Sequence, residues 1–225
     1  MKKGIVITID GPAGVGKSSV GKDFAQSIGY KFISTGKMYR ALAYKAFQNK
    51  IFVEDENTLL ELAKNTKWEF IANSSVEPIL HLDGIALDKQ LNDENIARLT
   101  SSVARLPRIR EFMVMKQREI GREGSLVMEG RDIGTNVFPD SPLKFYLDAS
   151  PQARAERRVK QLISQGIKAN YDEILSLIIE RDEQDSRRKY NPLKKADDAH
   201  YIDTTNMTQS EVVKKMLSLF KENIS

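Results

Sequence analysis

At 225 residues, with 40% hydrophobic and 29% charged side chains, the chain can bury one substantial core but hardly two independent ones. Its 35 Lys and Arg against 31 Asp and Glu leave +4 with both signs interspersed, which suits small anionic ligands and argues against a nucleic-acid-binding arm. The lack of cysteine excludes disulfides, thiolate chemistry and cysteine-based zinc sites, and makes a cytoplasmic location the expectation; no apolar run approaches the roughly 18 residues of a membrane helix.

In chain order, Met1-Lys2-Lys3-Gly4 carries positive charge ahead of an apolar run. That run ends at Thr8 and Asp10 without a small-residue cleavage site, so it predicts a first strand over 4–10 rather than a signal peptide. Gly11-Pro12-Ala13-Gly14-Val15-Gly16-Lys17-Ser18 then matches G-x-x-x-x-G-K-[ST] in full, with Ser19 following, and a helix over 17–28 comes next. A chance match in this length has odds of about one in a hundred. The glycines let backbone N–H groups converge on a β-phosphate at the positive end of that helix. Lys17 is expected to bridge β- and γ-phosphates, and the Ser18 hydroxyl to ligate Mg²⁺. ATP is therefore the expected donor, and the acceptor remains to be read downstream.

A strand over 30–34 leads into Ser34-Thr35-Gly36-Lys37-Met38-Tyr39-Arg40 and a helix over 37–49, with Thr35 placed to cap it and Arg40 about one turn inside. This is either an anion-binding helix start or a cap followed by a solvated face. A helix over 58–66 comes next. Three short apolar runs at 68–71, 76–82 and 85–87, with turn signals at Asn73-Ser74-Ser75 and Asp83-Gly84, predict a small antiparallel insert at about 66–90. Helices over 93–105 and 108–122 are separated by Pro107. They carry Ser101 and Arg110, which could read a base edge or simply face solvent. The strand over 125–129 opens into Glu129-Gly130-Arg131-Asp132-Ile133-Gly134-Thr135, at the carboxyl end where open α/β sheets bind ligands. The alternative is a structural Arg–Asp pair.

After a strand over 144–148, a helix over 151–164 spaces Arg154, Arg157 and Arg158 along its length, suggesting a lid at about 154–170. The helix over 171–188 puts Arg181, Asp185 and Arg188 on one face, as a ligand cluster or a salt-bridge ladder. A strand over 200–203 and a helix over 209–223 complete an α/β pattern with a parallel sheet. His81 and His200 lack partners at metal spacing and read as structural.

With these motifs assembled, the chain resembles the bacterial cytidylate kinases, within the nucleoside monophosphate kinase family. The likeness spans essentially the whole sequence: GPAGVGKSS at 11–19, STGKMYR at 34–40, the β insert, PRIRE at 107–111, EGRDIGTNVFPD at 129–140 and ERDEQDSRR at 180–188. It implies a single P-loop kinase domain over 1–225, built on a five-stranded parallel sheet of order 2-3-1-4-5, with insert and lid appended. It implies transfer from ATP to CMP or dCMP with Mg²⁺; nothing in the sequence itself demands more than a monomer. It assigns the CMP phosphate to Arg40, Arg131 and Arg188, the cytosine edge to Ser101, Arg110 and Asp132, and the sugar to Arg181 and Asp185. Thr35 and Tyr39 would line the acceptor site, and Lys17, Arg131, Arg188 and the lid residue Arg157 would act in catalysis. Two positions depart from the family's usual pattern: Ser34 stands in place of Asp, and Glu129 where Asp is more common.

Rival readings are a kinase for UMP, AMP or shikimate, a regulatory GTPase, and a nucleic-acid module. A GTPase needs N-K-x-D, and the Asn49-Lys50-Ile51-Phe52 run lacks the Asp.

Overall fold

The computed structural model describes residues 4–224, so Met1, Lys2 and Lys3, part of the N-terminal reading above, lie outside the described residues. The β-branched runs form the core strands β1 (Val6–Asp10), β2 (Lys31–Ser34), β6 (Leu126–Glu129), β7 (Leu143–Asp148) and β8 (His200–Asp203). They pair in parallel in the order β2-β6-β1-β7-β8, the 2-3-1-4-5 arrangement the resemblance implies. All four residues of β6 and four of the five in β1 are buried, as expected for strands covered on both faces.

One face is covered by α1 (Lys17–Ile28) and α8 (Gln209–Ile224), where Phe24, Val20, Val212 and Met216 pack on Ile7, Ile9, Phe145 and Ile202. Phe24 meets Phe145 edge-to-face at 5.6 Å. The other face is covered by α5 (Pro107–Gly121), whose Val114 packs with Ile33, Met128 and Val137. Outside it lie α2 (Thr35–Gln48), α3 (Glu56–Lys64) and α4 (Glu94–Val103), which share a second core around Met38, Leu42, Leu59, Ile96 and Met113. Each such fully buried side chain contributes roughly 1.5–3 kcal/mol.

The insert is a three-stranded antiparallel sheet, β3 (Trp68–Ile71), β4 (Ile79–Leu82) and β5 (Ile85–Leu87), with the Asp83-Gly84 turn where the sequence signals it. The second strand begins three residues later than expected. Pro78 offers no donor to a ladder, and the chain before it is committed elsewhere: Val76 O accepts from Phe32 N, and Glu77 pairs with Lys22 and Lys37. Leu80, Leu82 and Leu87 of the insert pack against Ala41 and Tyr44 of α2, so the insert buttresses the helix that carries Tyr39 and Arg40.

Between β7 and β8 lie the two remaining α-helices, α6 (Pro151–Ser164) and α7 (Tyr171–Ser186). Ser150 caps the first and Asn170 the second, each accepting from backbone N–H groups. Among the described residues no helix is long and apolar enough to cross a membrane.

Candidate active site

The chain leaves β1 at Asp10 and turns immediately at Gly11 with φ 145°. A Cβ there would stand 2.0 Å from the Leu147 carbonyl oxygen of β7, so only glycine fits this passage. The loop delivers α1 with no side-chain cap and no acidic residue in its first turn, leaving the positive end of the helix unneutralised. Lys17 is 5% exposed and its Nζ donates to the carbonyls of Gly11 at 2.8 Å and Pro12 at 2.6 Å. Burial, then the nearby Arg131 charge, pushes its pKa down to about 7. A polyphosphate beside it would restore the charged form, so the lysine is poised to gain from an anion. Of the remaining loop residues, Val15 is buried in the core, and Ser18 and Ser19 are exposed at the helix start.

The carboxylate of Glu129, at the end of β6, accepts from Ser18 Oγ at 2.7 Å and from Ser34 Oγ at 2.6 Å, both on Oε1. The two departures from the family pattern therefore touch each other: the longer Glu129 side chain meets the hydroxyl that replaces a carboxylate at 34. This donor set, one hydroxyl and one carboxylate at the phosphate loop, fits Mg²⁺, which keeps waters and substrate phosphates among its ligands. Among the described residues no cluster of three His, Cys, Asp or Glu could form an all-protein cage.

Beyond the phosphate loop, Arg131 donates from Nε to Asp185 Oδ2 at 2.8 Å, and Arg188 donates to the other oxygen of the same carboxylate. Asp185 is 2% exposed. Burial works against its charge, but Arg131 and Arg188 outweigh it and hold its pKa below the usual carboxylate range. Arg40 and Arg181 join this group without a carboxylate within ion-pair distance among the described residues. Burial lowers both, Arg181 to about 10, and neighbouring arginines add to the effect: Arg131, Arg40 and Arg188 on Arg181, Arg158 and Arg131 on Arg40. The Nε of Arg188 is buried with no acceptor among the described residues.

Beside them Arg110, 3% exposed, donates to Asp132 Oδ2 at 2.8 Å and to the Ala104 carbonyl at 3.2 Å, while its buried Nε has no acceptor. Asn136 Nδ2 donates to the same Asp132 oxygen at 3.1 Å, leaving Oδ1 without a hydrogen-bond donor among the described residues. The Arg110 guanidinium lies 5.9 Å from the centroid of the buried Tyr39 ring, whose hydroxyl pKa burial pushes up to about 12. Ser101 sits half-buried on α4, one turn before Arg105, which donates to its carbonyl.

Several expected roles change. Thr35 does not cap α2: it is the first helical residue, and its hydroxyl donates to Glu129 O at 2.9 Å, tying the helix start to β6. Arg154 is not a lid group facing substrate. It is 2% exposed and braces three elements, donating to Ala149 O, to Ala13 O in the phosphate loop and to both oxygens of Asp182 in α7. Arg157 does not join the arginines around Asp185: it donates to Thr204 and Thr205 in the β8–α8 loop, whose Thr204 Oγ1 reaches Val15 O. Of the three, Arg158 is exposed and close enough to lower Arg40. All three share one helix, but α6 turns each to a different neighbour. Sequence reasoning also missed Asn136 and Asp182. Asn136 sits four residues from Asp132, the one local signal that could have found it; nothing local announces Asp182 as a partner of Arg154.

Three comparisons bear on this geometry. A family model described as cytidylate kinase matches residues 7–222. Proteins named cytidylate kinase are similar along nearly their whole length. One from Bacillus pumilus is 42% identical over 96% of each chain; one from Clostridioides difficile is 40% identical over 95% of this chain and 97% of its own. Among solved structures, an uncharacterised protein from Eubacterium ventriosum shares the fold at TM-score 0.53 and 13% identity, covering 98% of this chain and 99% of that one. With the phosphate loop, the arginine cluster and the Arg110–Asp132 pair set beside one another on a sheet of this order, the chain belongs to the cytidylate kinase family.

Proposed function

We propose that this protein transfers the γ-phosphoryl group of ATP to CMP or dCMP, giving ADP and CDP or dCDP. The observation that carries the reading is an excess of buried or half-buried guanidinium groups, Arg40, Arg131, Arg181 and Arg188, gathered beside a phosphate-loop lysine. Like charges at such density are costly unless an anion joins them. A nucleoside monophosphate is already an anionic nucleophile at neutral pH, so the reaction needs no general base. It needs cations that let two polyanions meet.

In this reading Lys17 holds the donor's β- and γ-phosphates, and Arg40, Arg131 and Arg188 hold the acceptor phosphate in line with it. Ser18 and Glu129 would hold Mg²⁺, directly or through water; when bound, the ion neutralises charge developing on the transferring group. Arg181 and Asp185 contact the sugar, and Asp185 also presets two of the phosphate-binding arginines. The Arg110 donors face cytosine N3 and O2, and Asp132 accepts from the exocyclic amine. Uracil reverses both edges, offering a donor at N3 and an acceptor at position 4, and would oppose like to like. Thr35 supports the acceptor pocket from beneath, and Tyr39 and Ser101 line it. The tip of the α6–α7 hairpin, within the 154–170 span and beyond the turns that Arg154 and Arg157 anchor, acts as the lid, while α7 brings Arg181 beside Arg131 and Arg188. The insert serves the acceptor side through its packing on α2.

Steady-state ADP release with CMP, dCMP, UMP, AMP and no acceptor tests the proposal. Stimulation by the cytosine nucleotides above the others is expected. Equal turnover with UMP would shift the assignment to a pyrimidine-general kinase, and no stimulation by any acceptor would overturn it.

A further inference from the structure

We infer that Asp10, the last residue of β1, is a positioning residue for the acceptor nucleotide: its carboxylate holds the turn that aims Arg131 and Asp132. The inference rests on the proposed CMP reading and adds to it a residue that touches neither substrate.

The β1–β6 ladder ends when Gly130 N donates to Ile9 O at 2.9 Å. Beyond that point the chain leaves the sheet, and among the described residues no strand pairs with it. Asp10 supplies the next two rungs from its side chain: Oδ1 accepts from Ile133 N at 2.8 Å and Oδ2 from Gly134 N at 2.7 Å. The turn so captured is tight. Asn136 N and Val137 N both donate to Asp132 O, and Asp132 takes φ −143°, ψ 28°. Gly134 is pressed against β1 and β7: a Cβ there would stand 2.8 Å from Thr8 Oγ1 and 3.2 Å from Lys144 Cδ.

Asp10 itself is 4% exposed, and burial pushes its pKa up to about 7 despite the two N–H donors. A buried carboxylate is a costly way to end a strand. Its location gives the expense a use, because the next residue, Gly11, opens the donor loop, while the residues it holds follow directly on Arg131 and Asp132. One side chain thereby fixes the spacing between the two halves of the cleft. Two parallel N–H donors need two acceptor oxygens. An amide offers one, and its NH₂ would oppose the other N–H.

The test is Asp10→Asn in the full-length enzyme, read by kinetics and by ligand-induced shifts in Tm. We expect KM for CMP to rise at least about tenfold while KM for ATP stays within about twofold. The Tm increase caused by CMP should be lost, and that caused by ATP retained. Gly134→Ala leaves Asp10 in place and pushes the same turn away, so it should give the same split if Asp10→Asn does not fold. A CMP KM within about twofold of wild type, or equal rises for both substrates, would overturn the inference, since a merely structural strand end loosens both sites alike. Wild-type enzyme with no CMP-dependent Tm shift would instead count against the CMP reading itself.

Discussion

Arg131, just after β6, and Asp185, near the end of α7, meet at 2.8 Å, and the same carboxylate takes Arg188 on its other oxygen. One buried anion thus holds the two cations that the proposed function assigns to the acceptor phosphate. It orders both without saturating Arg188, whose Nε lacks an acceptor among the described residues. Preset charge of this kind is what phosphoryl transfer draws on, since it costs no reorganisation when the reaction occurs.

Replacing that anion should be costly twice. Asp185→Asn leaves two guanidinium groups facing each other, and breaking a buried pair destabilises by about 3–5 kcal/mol. We expect a lower Tm together with a CMP KM raised by about tenfold or more, while ATP affinity is nearly kept. Thermal unfolding and steady-state kinetics on the same preparation check both parts.

Lys17→Met should separate stability from activity. Turnover should fall by about a thousandfold or more, because the β- and γ-phosphates lose their cation. The ligand-free variant should be no less stable than wild type, since a buried, poorly compensated charge has been removed. The sign with pH follows from a folded pKa of about 7 against the ordinary 10.5. Between those values the unfolded state binds more protons, so this group makes wild-type stability rise with pH. The Tm advantage of Lys17→Met should therefore shrink from pH 7 toward pH 10. A constant advantage would mean that Lys17 is not destabilised by burial.

Asp132→Asn should exchange an acceptor for a donor at the base edge. We expect the ratio of kcat/KM for CMP over UMP to fall by about tenfold or more, with KM for ATP within about twofold. Arg110 would also lose its partner, so Tm should drop. Parallel losses for both acceptors would show that the pair supports the fold without reading the base.

Glu129→Gln removes the charge shared by Ser18 and Ser34. We expect the Mg²⁺ concentration for half-maximal activity to rise by about tenfold. Ser34→Ala, which leaves the carboxylate, should change it by less than about threefold. Titrating Mg²⁺ at saturating nucleotides distinguishes the two.

The phosphate loop and the α/β class were legible because both rest on local signals, whereas the sheet order followed from the family resemblance alone. G-x-x-x-x-G-K-S specifies its own backbone, and β-branched runs alternating with helical periods leave few topologies. The acceptor residues were legible only as types in clusters. Arg131, Asp132, Arg181, Asp185 and Arg188 were all singled out, but nothing in their spacing says that Arg131 bonds Asp185 rather than its neighbour Asp132. The helix over 151–164 shows the limit most clearly, since three arginines at helical spacing became a buried brace, a loop anchor and an exposed charge.

By itself the sequence determined the donor chemistry, the α/β class and the residues available to meet an anion, because periodicity and turn chemistry act over a few neighbouring positions. Only the tertiary structure decided which cations remain unpaired, that Glu129 and Ser34 touch, and that Asp10 holds the turn carrying Arg131 and Asp132. Those outcomes depend on burial and on distances between strands far apart in the chain, where desolvation decides whether a charge is satisfied or left waiting for a ligand.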